Sequence, residues 1–474
     1  MSASIGYFFY ILASVASGMN PNLRSELERL IGAESVFDDE EELKKHSMDM
    51  ADFSGNPMLI VKPRTTEEVS KVVKYAYKKG IALVPWGAGS SLTGAAIADN
   101  AVVIDMSRFD KIIEINDVEW FVHVEAGVVL DTLNNQLKDH GFFFPPDPAS
   151  SFICTVGGAV AEGSGGLRCV RYGTVKDWVL ALKVVLPNGR VTVLGEPLPK
   201  NRAGYDLVHL LVGSEGTLGI ITEAWLKIIP LPREKIVRMF AQFDSWESAT
   251  KVIVEMRKRR FQPYLLEFMD RQTIEGVQGK IEMDLPVFEA SLLIDVEESI
   301  KGELLNLMRD CNIKNIIIAQ NEDESEQLYQ ARALSYLTLK QQATGAQAED
   351  VCVPIGKLKD YLNHVEQISK KYGVRIVVHG HAGDGNVHPL LLFDKNDPQS
   401  TKNARIAFEE ICNYAIEQGG TTTGEHGIGI QKVAFLRRQL ERHGGKETIK
   451  IMKKIKKLID SKSIMNPQKY VEAA

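Results

Sequence analysis

Three glycine-rich stretches constrain this chain most: "PWGAGSSLTGAA" (Pro85 to Ala96), "TVGGAVAEGSGG" (Thr155 to Gly166) and "VGSEGTLGIITEAWLKI" (Val212 to Ile228). Glycine has no Cβ, so its backbone can approach a ligand closely and take positive φ without strain. The first stretch follows "IALVPWG", which reads as a buried strand, and its glycines and hydroxyls can turn several backbone N–H groups toward a phosphate. The nicotinamide-dinucleotide fingerprint would need glycine where Leu92 stands, and Gly94 comes two places late. Taken alone, the first stretch is equally well a plain turning loop. Three such stretches in one half of a chain indicate an extended ligand such as FAD.

At 474 residues the chain is too long for one hydrophobic core, and two or three domains are expected. "TTEEVSKVVKYAYKKG" predicts a helix with Thr65 at its cap, Glu68 completing a capping box, an apolar stripe at Val69, Val72, Val73 and Ala76, and Gly80 at its end. "AVVIDM" predicts the next strand, and "DWVLALKVVLPNGRVTVLG" a β-hairpin turning at Pro187-Asn188-Gly189. The fold class is therefore mixed α+β, not a doubly wound sheet. Pro230 and Pro232 in "KIIPLPREK" stiffen a domain boundary.

A net charge of −6 gives no reason to expect nucleic acid as a partner. Five dispersed cysteines without a Cys-x-x-Cys pair argue against a zinc ribbon, an iron–sulfur site or a disulfide framework, and fit a reducing cytoplasm. The uncharged start carries an apolar run from Ile5 to Ala16, too short to span a bilayer and lacking the basic flank of a secretory signal. A native start at Met19, an unusual signal and an interfacial tail compete there, and Met19 is preferred because a soluble-looking segment follows it.

"VVHGHAGDGNVHPLLLFD" gathers His379, His381 and His388 around an Asp384-Gly385 turn, which predicts a hairpin. A lone histidine beside a turn is more often a hydrogen-bonded structural residue than a metal ligand. "GGTTTGEHGIGIQK" adds the adjacent pair Glu425 and His426, whose side chains diverge and so suit different roles. Glu425 with His381 and His388 would make a site of three protein ligands with open positions, leaving His426 free as a base. His379 shares their face and suits a supporting role. His443 reads as a helix-end residue.

The ordered set PWGAGSSLTG, PPDPAS, TVGGAVAEGSGGLRCVRYGTVKDWVLALKVVLPNGR and GSEGTLGIIT resembles the FAD domain of the vanillyl-alcohol oxidase and p-cresol methylhydroxylase type. That resemblance implies FAD contacts at Gly87, Ala88, Gly89, Ser90, Ser91 and Gly94, at Pro146 in the proline turn, and at Thr155, Gly157, Gly158, Gly165, Glu215, Gly219 and Ile221. Ala159 stands where many relatives have asparagine, and the first loop lacks the histidine of covalently flavinylated relatives, so non-covalent FAD is expected. HAGDGNVHP, TGEHGIG, EDVCVP and IMNPQK resemble the C-terminal domain of FAD-linked 2-hydroxy-acid dehydrogenases, in the branch of the glycolate oxidase FAD subunit and D-lactate dehydrogenases. By that resemblance His381, His388 and Glu425 bind a divalent metal (zinc, manganese or iron), His426 is the base, Arg332 holds the substrate carboxylate, and Asn466 returns to the flavin.

The resemblance implies a two-part FAD-binding domain over residues 19–232, an α+β cap domain with an antiparallel sheet over 233–430 and a C-terminal FAD-associated segment over 431–474, preceded by an apolar extension over 1–18. Ala348 and Leu390 replace the lysine and asparagine of hydroxyglutarate relatives, which favours a short monocarboxylic D-2-hydroxy acid, D-lactate or glycolate. The alternatives are a D-2-hydroxyglutarate dehydrogenase and a flavin-bearing subunit of a glycolate-oxidase-like complex. Expected partners are the 2-hydroxy acid, an electron acceptor (quinone, cytochrome or electron-transfer protein) and a second copy in a homodimer. The expected setting is the cytoplasm, peripheral to the membrane where a quinone is the acceptor.

Overall fold

A computed structural model describes residues 22–442 and 444–470. The apolar N-terminal run and His443 lie outside the described residues. The helix Thr66–Lys79 follows local rules: Thr65 accepts from the Glu68 N–H, Val69, Val72, Val73 and Ala76 are buried, and Gly80 ends it at φ 70°. The Glu68 carboxylate accepts from the Arg64 N–H at 2.7 Å, one residue beyond the reach of a capping box. The helix covers a small sheet in the order Val36–Phe37, Leu59–Val61, Val102–Asp105, Leu83–Trp86, whose last three strands are parallel.

A second, antiparallel sheet runs Ile112–Asn116, Phe121–Glu125, Ile220–Lys227, Val179–Val185, Val191–Gly195. Its last pair is the expected hairpin, with Gly189 at φ 78°. The stretch from Thr155, read from sequence as a loop, instead begins with the short helix Val156–Glu162, capped by the Thr155 hydroxyl accepting from the Gly158 N–H. Small residues hid its period, yet Val156, Ala159 and Val160 are buried on one side.

Beyond Pro232 a third sheet is antiparallel throughout: Asn315–Ile318, Ile236–Phe243, Ala290–Glu297, Leu265–Asp270, Arg375–His381, Asn386–Phe393, Gly345–Ala348, with Val351–Cys352 also on the sixth strand. Helices Trp246–Lys258, Lys301–Asp310, Leu358–Tyr372 and Pro398–Glu417 bury one face of it in a common core. Along Leu265–Asp270, Leu266 and Phe268 enter that core, so by strand alternation Glu267 lies on the opposite face. After helix Lys446–Ile459 the chain returns to the first sheet: Leu83 donates to the Ile464 carbonyl and accepts from the Asn466 N–H, both at 2.8 Å. The α+β expectation and the C-terminal return both match this architecture. Among the described residues, no helix is long and apolar enough to cross a membrane.

Candidate active site

A cavity of about 570 Å³ separates the glycine loops from the histidine-bearing sheet and is walled by both. This is within the ordinary range for ligand sites. Gly87, Ala88, Gly89, Ser90 and Ser91 line it from the first loop, Thr155, Gly157, Gly158 and Gly165 from the second, Glu215, Gly219 and Ile221 from the third, and Asn466 from the C-terminal return. The loops are pressed together where side chains are missing. A Cβ on Gly87 would lie 2.5 Å from Thr155 Oγ1, and one on Gly157 would lie 2.7 Å from Ala126 Cβ. The Asn466 amide donates to the carbonyls of Ala95 and Glu215, at 2.8 and 2.6 Å, tying the return segment to two of the loops.

Two expected contacts stand apart from the wall. Gly94 donates its N–H to Asp49 at 2.9 Å, and a Cβ there would strike Ile430 at 2.5 Å, so this glycine serves packing behind the loop. Pro146 does not line the cavity, whereas Pro148, Ala149 and Ser150 of the same turn do. Asp147 between them accepts from the Arg168 N–H at 2.9 Å, which turns the chain so that its second half reaches the wall.

The opposite wall is made of side chains. The hairpin register sets His379 opposite His388 and His381 opposite Asn386, so all three imidazoles share one face. Glu425 Oε1 lies 2.9 Å from His381 Nε2 and 3.3 Å from His388 Nε2. Ligand atoms bound at ~2.1 Å to one ion sit roughly 3.0–3.4 Å apart, so this donor set fits a shared divalent metal. Burial works against charge on Glu425, but the His381 imidazole outweighs it and holds the carboxyl well below its usual range. Burial likewise opposes charge on His381, and Glu267 and Glu425 nevertheless hold it well above the ordinary imidazole value.

Asp350, His388, Glu425 and His426 also converge, with one donor atom each within 4.8 Å of the others. Asp350 is already engaged. Its Oδ2 accepts from the N–H groups of Gly424, Glu425 and His426 and from the Thr423 hydroxyl, and its Oδ1 from the Asn386 amide. It therefore shapes the Glu425–His426 loop, which leaves His388, Glu425 and His426 of that group open, with His381 Nε2 beside Glu425. Buried Lys432 braces the same loop through Glu349, 2.6 Å away, and through the carbonyls of Asp350 and Thr422.

His426 stacks on His388 with ring centres 4.9 Å apart, and its Nε2 lies 3.9 Å from Glu425 Oε1. Burial pushes its imidazole down to about 4, so it is neutral. Its carbonyl accepts from Thr93 of the first glycine loop at 3.2 Å, a direct link between the two walls. Arg332, at the end of helix Glu322–Ala333, is buried, lines the cavity and lies 2.8 Å from Glu267 through Nε. His379 lines the cavity with an unpartnered Nδ1, and burial keeps it neutral.

Residues 57–195 match the FAD binding domain model, and residues 232–470 match the model for the C-terminal domain of FAD linked oxidases. The chain belongs to the FAD-linked oxidase family. It is 32% identical to glycolate oxidase subunit GlcD of Bacillus subtilis, covering 94% of this chain and 96% of that one. It is 33% identical to a D-lactate dehydrogenase of Archaeoglobus fulgidus (87% and 91%) and 31% identical to a probable mitochondrial D-2-hydroxyglutarate dehydrogenase of Oryza sativa (96% and 82%). In fold it is similar to p-cresol methylhydroxylase, with a TM-score of 0.76 at 17% identity over 95% and 96% of the chains. A similar likeness holds to alkyldihydroxyacetonephosphate synthase, with a TM-score of 0.75 at 20% identity over 97% and 87%. These matches support FAD as the cofactor of this chain.

Sequence reasoning missed Glu267, Asp350 and Lys432 as parts of this site. A signal existed for Glu267, since its carboxylate interrupts "YLLEFM", a run otherwise apolar enough for burial on both faces. Asp350 lies in the noted "EDVCVP" motif, but nothing local shows that it holds a loop 76 residues on.

Proposed function

We propose that the enzyme oxidises a short D-2-hydroxy acid, glycolate or D-lactate, to the 2-oxo acid. The observation that carries this reading is the single cavity in which an arginine, a three-ligand donor set and a neutral imidazole face the flavin loops. Arg332 binds the substrate carboxylate, its planar fork suiting bidentate contact. His381, His388 and Glu425 hold a divalent metal, which supplies Lewis acidity toward the substrate's 2-hydroxyl. His426 takes the hydroxyl proton on Nε2, a role that requires the neutral form burial enforces. The glycine loops would hold FAD, which would supply a hydride acceptor for the substrate's Cα.

The size of the acid follows from what else lines the wall. Among the described residues that line it, Arg332 is the sole arginine and no lysine occurs. Buried Ala348 and Leu390 occupy the part of the wall formed by the cap sheet. A second carboxylate, as in 2-hydroxyglutarate, would be desolvated there without a counter-ion. The D configuration and the choice between glycolate and D-lactate rest on the relatives' names. One relative is named as a subunit and another as a cytochrome-linked enzyme, which supports a reading in which a partner protein or cytochrome receives the electrons.

Anaerobic mixing of the FAD-loaded protein with a panel of D- and L-2-hydroxy acids tests the reading. Flavin absorbance bleaches with glycolate or D-lactate, bleaches much more slowly with D-2-hydroxyglutarate, and ceases to bleach after chelation. A flavin that stays oxidised with every acid of the panel refutes it.

A further inference from the structure

Glu267 has no place in the chemistry just described, yet it is a fully enclosed charge beside it. It is 0% exposed, and it meets two cationic partners that sequence places far away. Its oxygens lie 2.7 and 2.9 Å from His381 Nδ1, and Oε2 lies 2.8 Å from Arg332 Nε. The sheet register produces the first contact: Phe268 pairs with Gly380 and Met269 with His379 across neighbouring strands, which brings Glu267 beside His381. The last turn of helix Glu322–Ala333 delivers the second.

We propose that Glu267 is a positioning residue that couples the two ends of substrate recognition, fixing the metal-binding tautomer of His381 and the guanidinium of Arg332 with one shared carboxylate. The proposal rests on the reading of His381 as a metal ligand and Arg332 as the carboxylate anchor. A histidine whose Nδ1–H donates to a carboxylate would present the Nε2 lone pair to a metal and gain basicity as a ligand; here Nε2 lies 2.9 Å from Glu425 Oε1, the other donor of the site. Arg332 meets Glu267 as an ion pair at Nε without hydrogen-bond geometry there, and its terminal nitrogens, with only a long 3.5 Å contact from Nη1 to Ser335, stay available for a bidentate grip on a carboxylate. Neither arrangement survives without the shared anion. Arg332 would be a buried cation with no counter-ion, and His381 would lose the partner that selects its tautomer.

A glutamine at this position keeps the shape but carries no charge, so it removes the anion that both partners share. Glu267→Gln is expected to weaken Zn²⁺ binding to the FAD-loaded protein about 10- to 100-fold, read by chelator competition without substrate. The same variant raises KM for D-lactate in the Zn²⁺-saturated enzyme by a larger factor than it lowers kcat. Arg332→Lys tests the coupling from the far end and guards against a Glu267→Gln protein that fails to fold: it shifts Zn²⁺ affinity several-fold although residue 332 touches no metal donor. In the double variant the two effects on Zn²⁺ affinity do not add. Wild-type Zn²⁺ affinity in either single variant overturns the proposal, as does strict additivity in the double. A native protein that binds no divalent metal at all refutes instead the underlying reading of His381, and the titration of the unmutated chain shows which of the two has failed.

Discussion

The two walls of the cavity are built of different material. The flavin wall presents backbone and small residues, Gly87 to Ser91, Gly157, Gly158 and Gly219, and its specification is the absence of side chains where loops touch. The catalytic wall presents buried charges and imidazoles, several of them held by a partner from another strand or helix, as His381 is by Glu267 and the Glu425–His426 loop by Asp350. A backbone wall fails when an atom is added. A charge network fails when an atom is removed, because the partner is left buried and unpaired. Substitutions on the two walls should therefore separate cofactor retention from turnover.

The largest separation is expected at His426. His426→Ala removes the proton acceptor and should lower the rate of anaerobic flavin reduction by roughly 10²- to 10⁴-fold, with FAD content unchanged by absorbance. Loss of flavin together with activity would break the contrast. The same residue predicts the acid limb of the pH profile. Its imidazole is pushed down to about 4 by burial, so the neutral form persists as pH falls past the ordinary histidine value near ~6.5 and is lost only as pH falls through about 4. The kcat profile should be flat from neutral pH down to about 5; an acid limb near ~6.5 would show a solvated base instead.

Lys432 tests how much of the catalytic wall is structural. It is 1% exposed, and its removal leaves Glu349 and Asp350, both fully buried, short of their cation. Lys432→Met should cost roughly 3–5 kcal/mol in denaturant unfolding, the penalty for breaking a buried pair from one side. On the flavin wall Gly157→Ala places a Cβ 2.7 Å from Ala126 Cβ and 2.9 Å from its carbonyl oxygen. Overpacking of about 1–3 kcal/mol is expected, seen as weakened FAD retention on gel filtration, with Zn²⁺ affinity unaltered.

The same contrast explains what was legible. Gly87 to Ser91 and Gly157-Gly158 stood out in sequence because a backbone wall writes its requirement into consecutive positions. The hairpin around Gly385, at φ 74°, was equally plain, and with it the shared face of His379, His381 and His388. Glu267 was not, because its meaning depends on a partner 114 residues away and on a strand register that no local pattern encodes. The proline turn shows a related dependence: the contact of Asp147 with Arg168 sets which half of it lines the cavity, Pro148 to Ser150 and not Pro146.

Thr155 offers the smallest effect and the finest test, since it sits where the backbone wall relies on one side chain. Its Oγ1 accepts from the Gly158 N–H at 3.2 Å, and a Cβ on Gly87 would come within 2.5 Å of the same atom, so the hydroxyl both caps helix Val156–Glu162 and fills the contact between two loops. Thr155→Ala removes the cap at a cost of about 1 kcal/mol. In the apoprotein this should lower Tm by only a few degrees. Because the first loop has then lost the atom it packs against, FAD dissociation should accelerate by more than the cap alone accounts for, whereas Thr155→Ser, which keeps the oxygen, should restore both values. An alanine variant with the expected Tm loss and an unchanged FAD off-rate would show that the hydroxyl serves the helix only, and that the flavin wall needs no side chain at this junction.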